Sequence, residues 1–140
     1  MLKIQNNKGR LATVRENDYQ VGVFAYTESG KVVLVTNRKG ESWILPKGNR
    51  AKKRSDRLQA KREAFEEAGL EGSLHYKHYD FQFYDKSKKL RIYSMKVKAM
   101  LNDFPEVRER KRMVTTFDRA EKIIKEEYLK IIQELRKRIF

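Results

Sequence analysis

Three glutamates, Glu63, Glu66 and Glu67, sit in the stretch Arg62-Glu63-Ala64-Phe65-Glu66-Glu67-Ala68-Gly69-Leu70. On a helix of 3.6 residues per turn they fall within roughly a third of the circumference. Carboxylates crowded in this way repel one another unless a cation offsets their charge. Hard divalent ions do so through oxygen ligands at about 2.0–2.6 Å. Arg62, one helical turn before Glu66, can reach that carboxylate and set its orientation. Adjacent glutamates on a helix are ordinarily a solvated face. Here the spacing argues for more, because Gly48 precedes the acidic run at a strand end and Gly69 stops the helix directly after it.

The chain around this stretch predicts the elements that must position it. Ser55-Asp56 is a helix start and Gly69 a stop, with Leu58, Ala64, Phe65 and Ala68 expected on the side away from the glutamates. Residues 20–27 and 32–36 are β-branched and aromatic runs around Glu28-Ser29-Gly30-Lys31, which reads as a hairpin. A short strand over 42–45 runs into Pro46-Lys47-Gly48, a break signal, and 49–54 reads as a basic loop. Over 73–101, Tyr79, Phe81 and Phe83 alternate with polar residues, as do Tyr93, Met95, Val97 and Ala99. Asp85-Lys86-Ser87-Lys88 splits the run, giving a second hairpin with one buried face. Residues 102–114 read as a charged connector. A last helix over 115–139 begins near Thr115 or Thr116 and buries Ala120, Ile124, Tyr128, Ile131, Leu135 and Ile139. Residues 1–18 read as an N-terminal arm. The expected fold is α/β, a sandwich with helices on both faces of one mixed sheet, formed as a single domain over 1–140.

Composition narrows the function classes. The chain has 33 Lys plus Arg against 19 Asp plus Glu, a net charge of +14, which points to an anionic partner. Without cysteine, disulfides and thiolate metal sites are excluded. No apolar run reaches the length of a membrane span, and the first ten residues lack a signal-peptide core, so the expected location is cytoplasmic. No nucleic-acid motif is present, neither an aromatic RNP pattern nor zinc-ligand spacing. Trp43 reads as a core residue, and His75 and His78 are given no role. Lys52, Lys53 and Lys61 read as solvated surface.

The segment GNRAKKRSDRLQAKREAFEEAGL, residues 48–70, resembles the Nudix box, G-x5-E-x7-R-E-U-x-E-E-x-G-U with U aliphatic. All fixed positions match except the first glutamate, which is Arg54 here. With SWILPKG before the box, GSL after it and RERKRMVTTFDRAEKI later, the chain is most similar to the diphosphoinositol-polyphosphate and diadenosine-polyphosphate phosphohydrolases of that superfamily.

The resemblance implies a Nudix-type α/β/α sandwich. It also implies Mg²⁺- or Mn²⁺-dependent hydrolysis of a phosphoanhydride in a highly phosphorylated small molecule. Candidates are a diadenosine polyphosphate, a diphosphoinositol polyphosphate or another nucleoside diphosphate derivative. Glu63 and Glu67 would ligate metal, Glu66 would act as general base or share a metal, and the Lys47 carbonyl would add a ligand. Arg38, Lys47, Gly48, Arg50, Arg110 and Arg112 would bind substrate, arginine suiting phosphate through its planar fork. Arg54 cannot ligate a cation. Either another acid such as Glu109 or Asp80 replaces the missing carboxylate, or the fold is catalytically weakened and binds an anionic ligand or RNA. A third reading keeps the enzyme and makes it an RNA 5′-end pyrophosphohydrolase. Val114 stands where the resembling subgroup often carries an aromatic residue.

Overall fold

The computed structural model describes residues 2–5, 11–14, 19–83 and 88–140. A central mixed sheet carries one helix on one face and two on the other, which is the expected α/β architecture.

Strand β3 (Gln20–Tyr26) lies at the middle of the sheet. One edge pairs in parallel with β8 (Lys89–Met100), from Gln20 opposite Leu90 to Tyr26 opposite Lys96. The other edge is shared. Its C-terminal part pairs antiparallel with β4 (Val32–Thr36), closing the expected hairpin. Its N-terminal part pairs antiparallel with β6 (Lys47–Asn49). Between these, β5 (Trp43–Ile44) pairs with β4. The chain therefore leaves β4 at β5 and rejoins β3 at β6, and Pro46-Lys47-Gly48 lies in that fork. The break signal at Pro46 is real, but a strand starts at the next residue because β3 supplies a partner edge.

β7 (Leu70–Gln82) pairs antiparallel with β8, with irregularities between Glu71 and Gly72 and between Leu74 and His78. Residues 85–87 of the expected split lie outside the described residues. The stretch expected to be wholly connector contains β9 (Arg112–Thr115), which pairs with the outer edge of β4. Within the expected arm, β1 (Leu2–Gln5) and β2 (Leu11–Val14) pair antiparallel, and the rest of it lies outside the described residues.

Alternation along β3 separates the two layers. Phe24 packs on Phe117, and Tyr26 meets the edge of Phe140, on the C-terminal helical side. Val21, Val23 and Ala25 point the other way and are fully buried under α1 (Asp56–Ala68). Ser55 caps α1 by accepting from the Leu58 N–H at 3.2 Å, and Gly69 ends it at φ 63°. The helix faces the sheet differently from expectation. Ala60, Ala64 and Ala68 form the buried stripe, while Leu58 and Phe65 are 55% and 37% exposed. The small alanines allow close approach, and that approach brings Gln59, Glu63 and Glu67 toward the sheet.

The expected single C-terminal helix is two helices. α2 (Phe117–Ile123) is capped by Thr116, and α3 (Glu126–Ile139) follows a break at Ile124, which is extended at φ −67°, ψ 147°. The Lys125 N–H donates to the Trp43 carbonyl at 2.8 Å, so the break is fastened to β5. Tyr128, Ile131, Ile132 and Leu135 then bury the inner face of α3. No helix among the described residues is long and apolar enough to cross a membrane.

Candidate active site

The ladder between β3 and β6 determines which way Lys47 presents its backbone. Arg50 donates to the Tyr19 carbonyl at 3.3 Å and Val23 donates to the Pro46 carbonyl at 3.0 Å. The two-residue repeat of an antiparallel ladder then puts Lys47, opposite Gly22, in a non-hydrogen-bonded position. Its N–H and C=O both turn away from β3. The N–H donates to Glu67 Oε1 at 3.1 Å.

Glu67 is 4% exposed. Its other oxygen accepts from Arg110 Nη2 at 3.4 Å. Burial pushes its carboxyl up to about 8, reinforced by Glu63 and Glu106 and opposed by Arg110 and the Lys47 N–H. Glu63, one turn earlier, is also raised, first by burial and then by Glu66 and Glu106. Hydrogen bonds from Gln59 and Glu67 act against that shift. Gly48 completes the cradle. A Cβ there would come within 2.5 Å of Glu63 Oε2, so only a bare backbone leaves that carboxylate its place.

The structure thus brings together Glu63, Glu67, Gly48 and the Lys47 backbone. Glu66 is on the same helix but is held at its outer edge by Arg62, at 2.8 Å. Among the described residues no three His, Asp or Glu side chains gather into a ready metal cluster. Two carboxylates, the Lys47 N–H and the bare backbone of Gly48 are what converge.

The expected substrate-binding cations separate into three kinds. Arg38 is exposed, with Glu106 at 3.8 Å and Glu109 at 4.0 Å. Arg50 pairs with Asp56 at 3.2 Å and lies over the Tyr19 ring. Arg110 and Arg112 turn inward. Arg110 donates to Glu106 at 2.8 Å and to the Thr36 carbonyl at 2.9 Å as well as to Glu67, which makes it a brace behind the carboxylates. Arg112 Nη1 donates to the Ala68 and Leu101 carbonyls, both at 2.7 Å, and so closes the end of α1. Arg112 opens β9 on the outer edge of β4, and Arg110, two residues before it, is brought to the end of β4, where it donates to the Thr36 carbonyl. Of the acids considered as replacements at position 54, Asp80 is held by both arms of Arg91, at 2.9 and 3.1 Å. Glu109 faces Arg38.

On the opposite face of β6 the Lys47 side chain enters a cavity of about 190 Å³, with Gln20, Asn37, Lys88, Lys125, Glu127 and Tyr128 around it, Glu127 pairing with Lys125 at 3.1 Å. Burial lowers the Lys47 ammonium, with Arg110 and Lys88 adding and Glu67 opposing. The charge of Glu67 also reaches Tyr128, so the cavity and the carboxylates share one electrostatic neighbourhood. A larger concavity of about 530 Å³ lies between α1 and the β7–β8 pair, lined by Leu58, Phe65, Leu70 and Met95 among others, and neither Glu63 nor Glu67 lines it. Sequence reasoning missed Gln59, Lys88 and Lys125. Gln59 was detectable, because it lies one turn before Glu63 on the same face of α1. Lys88 and Lys125 come from distant segments that only the fold brings to Lys47.

A family model for the NUDIX domain matches residues 16–135. Among solved structures the chain is similar to a C. elegans Ap4A hydrolase in a binary complex. The TM-score is 0.68 at 18% identity, over 84% of this chain and 96% of that one. No curated protein matches. At that identity the structural likeness speaks for the fold. The family model covers most of the chain and speaks for descent, so this chain belongs to the Nudix hydrolase family.

Proposed function

We propose that this chain hydrolyses a phosphoanhydride bond in a nucleoside polyphosphate, with diadenosine polyphosphates first among the candidates, using a divalent cation, Mg²⁺ or Mn²⁺. The carrying observation is Glu63 and Glu67 side by side at the foot of α1. Among the described residues Arg110 is the one guanidinium bonded to Glu67, and the Lys47 N–H donates to the same carboxylate. Glu67 is buried and Glu63 half-buried beside it, and both carboxyls are raised, so a cation binding between them would offset the cost of ionising the pair. The donor set suits Mg²⁺, which keeps several waters and takes one or two carboxylates plus substrate phosphate oxygens. Such an ion, when bound, would polarise the phosphoanhydride and make water a better nucleophile.

The chain's own residues supply the rest. Glu63, Glu67 and the Lys47 carbonyl would hold the ion. Arg110 braces Glu67 and leaves its second oxygen in a fixed direction. Glu66, oriented by Arg62, would take the proton of the attacking water. Lys47 and Lys88 would bind polyphosphate oxygens from the cavity, and Lys125 would join them by giving up its 3.1 Å pairing with Glu127. That cavity is smaller than the roughly 300–1,000 Å³ of sites that enclose a drug-sized ligand, so a dinucleotide would extend onto the exposed surface, where Arg38 stands.

The test is turnover of diadenosine polyphosphates, diphosphoinositol polyphosphates and 5′-triphosphate RNA with Mg²⁺ or Mn²⁺, beside Mn²⁺ binding by calorimetry. Glu67→Gln keeps the volume and the Lys47 hydrogen bond but removes the anionic ligand. It is expected to lower turnover by at least about 10²-fold and to abolish tight Mn²⁺ binding. Equal binding and rates in both proteins would reject the metal site.

A further inference from the structure

We propose that Arg54 and Gln59 form a two-link relay that aims Glu63 at the metal. It would take over the work of the carboxylate that the Nudix pattern places at position 54. This rests on the metal reading above and adds positioning residues to it.

Arg54 Nη1 donates to Gln59 Oε1 at 2.8 Å, and Gln59 Nε2 donates to Glu63 Oε1 at 2.8 Å. Gln59 is 6% exposed, so water does not compete freely for its amide. A guanidinium has only donors and a carboxylate only acceptors. A neutral amide can bond both at once, and in one orientation alone. Turned over, it would set N–H against N–H at one end and oxygen against oxygen at the other. Arg54 thereby fixes the polarity of Gln59, and Gln59 fixes one oxygen of Glu63. Gly48 bounds the same carboxylate from the sheet side, where a Cβ would overlap it. Glu63 is confined between an amide donor and bare backbone, with little freedom except toward Glu67.

This reading makes the departure from the family pattern functional. A glutamate restored at position 54 would be an acceptor. It would draw the amide N–H₂ of Gln59 toward itself and turn the amide oxygen onto Glu63. The family residue would therefore harm this site.

The experiment compares Mn²⁺ affinity by calorimetry, and kcat and KM at saturating Mn²⁺, for Arg54→Glu, Arg54→Ala, Arg54→Lys, Gln59→Leu and Glu67→Gln. Arg54→Glu and Gln59→Leu are each expected to weaken Mn²⁺ binding about tenfold or more, the scale seen when a group orienting a metal ligand is lost. The effect should fall on kcat and not on KM. Combining Arg54→Ala with Gln59→Leu should be no worse than the poorer of those two singles. Arg54→Lys keeps a donor and should recover most of the affinity. Arg54→Ala introduces no new charge and carries the same expectation should the charge reversal unfold the protein. If Arg54→Glu or Arg54→Ala binds Mn²⁺ as tightly as wild type while Glu67→Gln does not bind, the relay is overturned and the metal site stands. If Glu67→Gln binds as wild type, the metal reading falls, and the relay falls with it.

Discussion

Gly48→Ala tests the site through a single added methyl group. Gly48 sits in β6 without a left-handed backbone, so alanine can adopt its conformation. The difficulty is space. The new carbon would overlap the whole Glu63 carboxyl group, with even its farthest atom, Oε2, at 2.5 Å against ordinary contacts of about 3.5 Å, so the carboxylate must retreat by more than about 1 Å. Retreat means leaving the 2.8 Å bond to Gln59 or swinging past Glu67. Metal–oxygen distances tolerate only about 0.2 Å. A misplacement of about 1 Å at a reacting centre lowers rate on the order of 10²-fold. Overpacking of this kind destabilises a fold by about 1–3 kcal/mol, too little to unfold an ordinary domain. The expected protein is therefore folded, binds Mn²⁺ at least about tenfold more weakly, and turns over on the order of 10²-fold more slowly. Calorimetry with Mn²⁺, turnover and a thermal melt read all three. Gly30→Ala is the control: it sits at φ 83° with nothing near the added carbon, so it should lose about 1 kcal/mol of stability and leave Mn²⁺ affinity unchanged. Wild-type Mn²⁺ affinity in Gly48→Ala would refute the placement of Glu63 against β6.

Two further outcomes concern the scaffold. Gly69→Ala should lose about 2–4 kcal/mol in a urea melt, because φ 63° disfavours a Cβ and the added carbon meets Phe104 at 2.5 Å and the Leu101 carbonyl at 2.9 Å. A loss below about 1 kcal/mol would mean the turn relaxes freely. Tyr19 donates to Asp56, and its hydroxyl is pushed up to about 12, by burial first and then by that hydrogen bond. Because the folded value lies above the unfolded one, near 10, its contribution is complete below about pH 10 and fades as pH rises toward 12. Tyr19→Phe should thus be less stable than wild type by about 1 kcal/mol at pH 8. Urea melts should show that gap closing between pH 10 and 12, and a constant gap would remove the assignment.

Much of the scaffold was legible because its signals are local. Ser55 and Gly69 mark the ends of α1, the turn at 28–31 joins β3 to β4, and alternation marks β7 and β8. The elements that were not legible depend on distant partners. β6 reads as a break because its composition is Lys-Gly-Asn, and only the edge of β3 makes it a strand. β9 reads as connector because it opens with Arg112 and leaves Val114 exposed, while β4 supplies its ladder. The break at Ile124 has no glycine or proline, and the apolar period runs straight through it. The Trp43 carbonyl draws Lys125 out of helical register. At the candidate site, spacing singles out the three glutamates, but it does not show that Glu63 and Glu67 turn toward the sheet while Glu66 stays at the outer edge with Arg62. Leu58 and Phe65 carry more apolar area than the alanines, yet a helix packs closest on its smallest side chains, and Ala60, Ala64 and Ala68 decide the matter. The charges of Arg110 and Arg112 were legible and their inward direction was not, since β9 sets it.

The parallel partnership of β3 with β8 also bears on how the protein comes off the ribosome. The middle strand of the sheet is synthesised early, yet one whole edge of it stays bare until Lys96 has emerged, and the outer edge of β4 waits for Thr115. Loop closures this long are entropically expensive and slow. During translation the nascent β3–β4 hairpin leaves the β8 edge of β3 and the β9 edge of β4 open, apolar strand edges of the kind that chaperones hold and that other nascent chains adhere to.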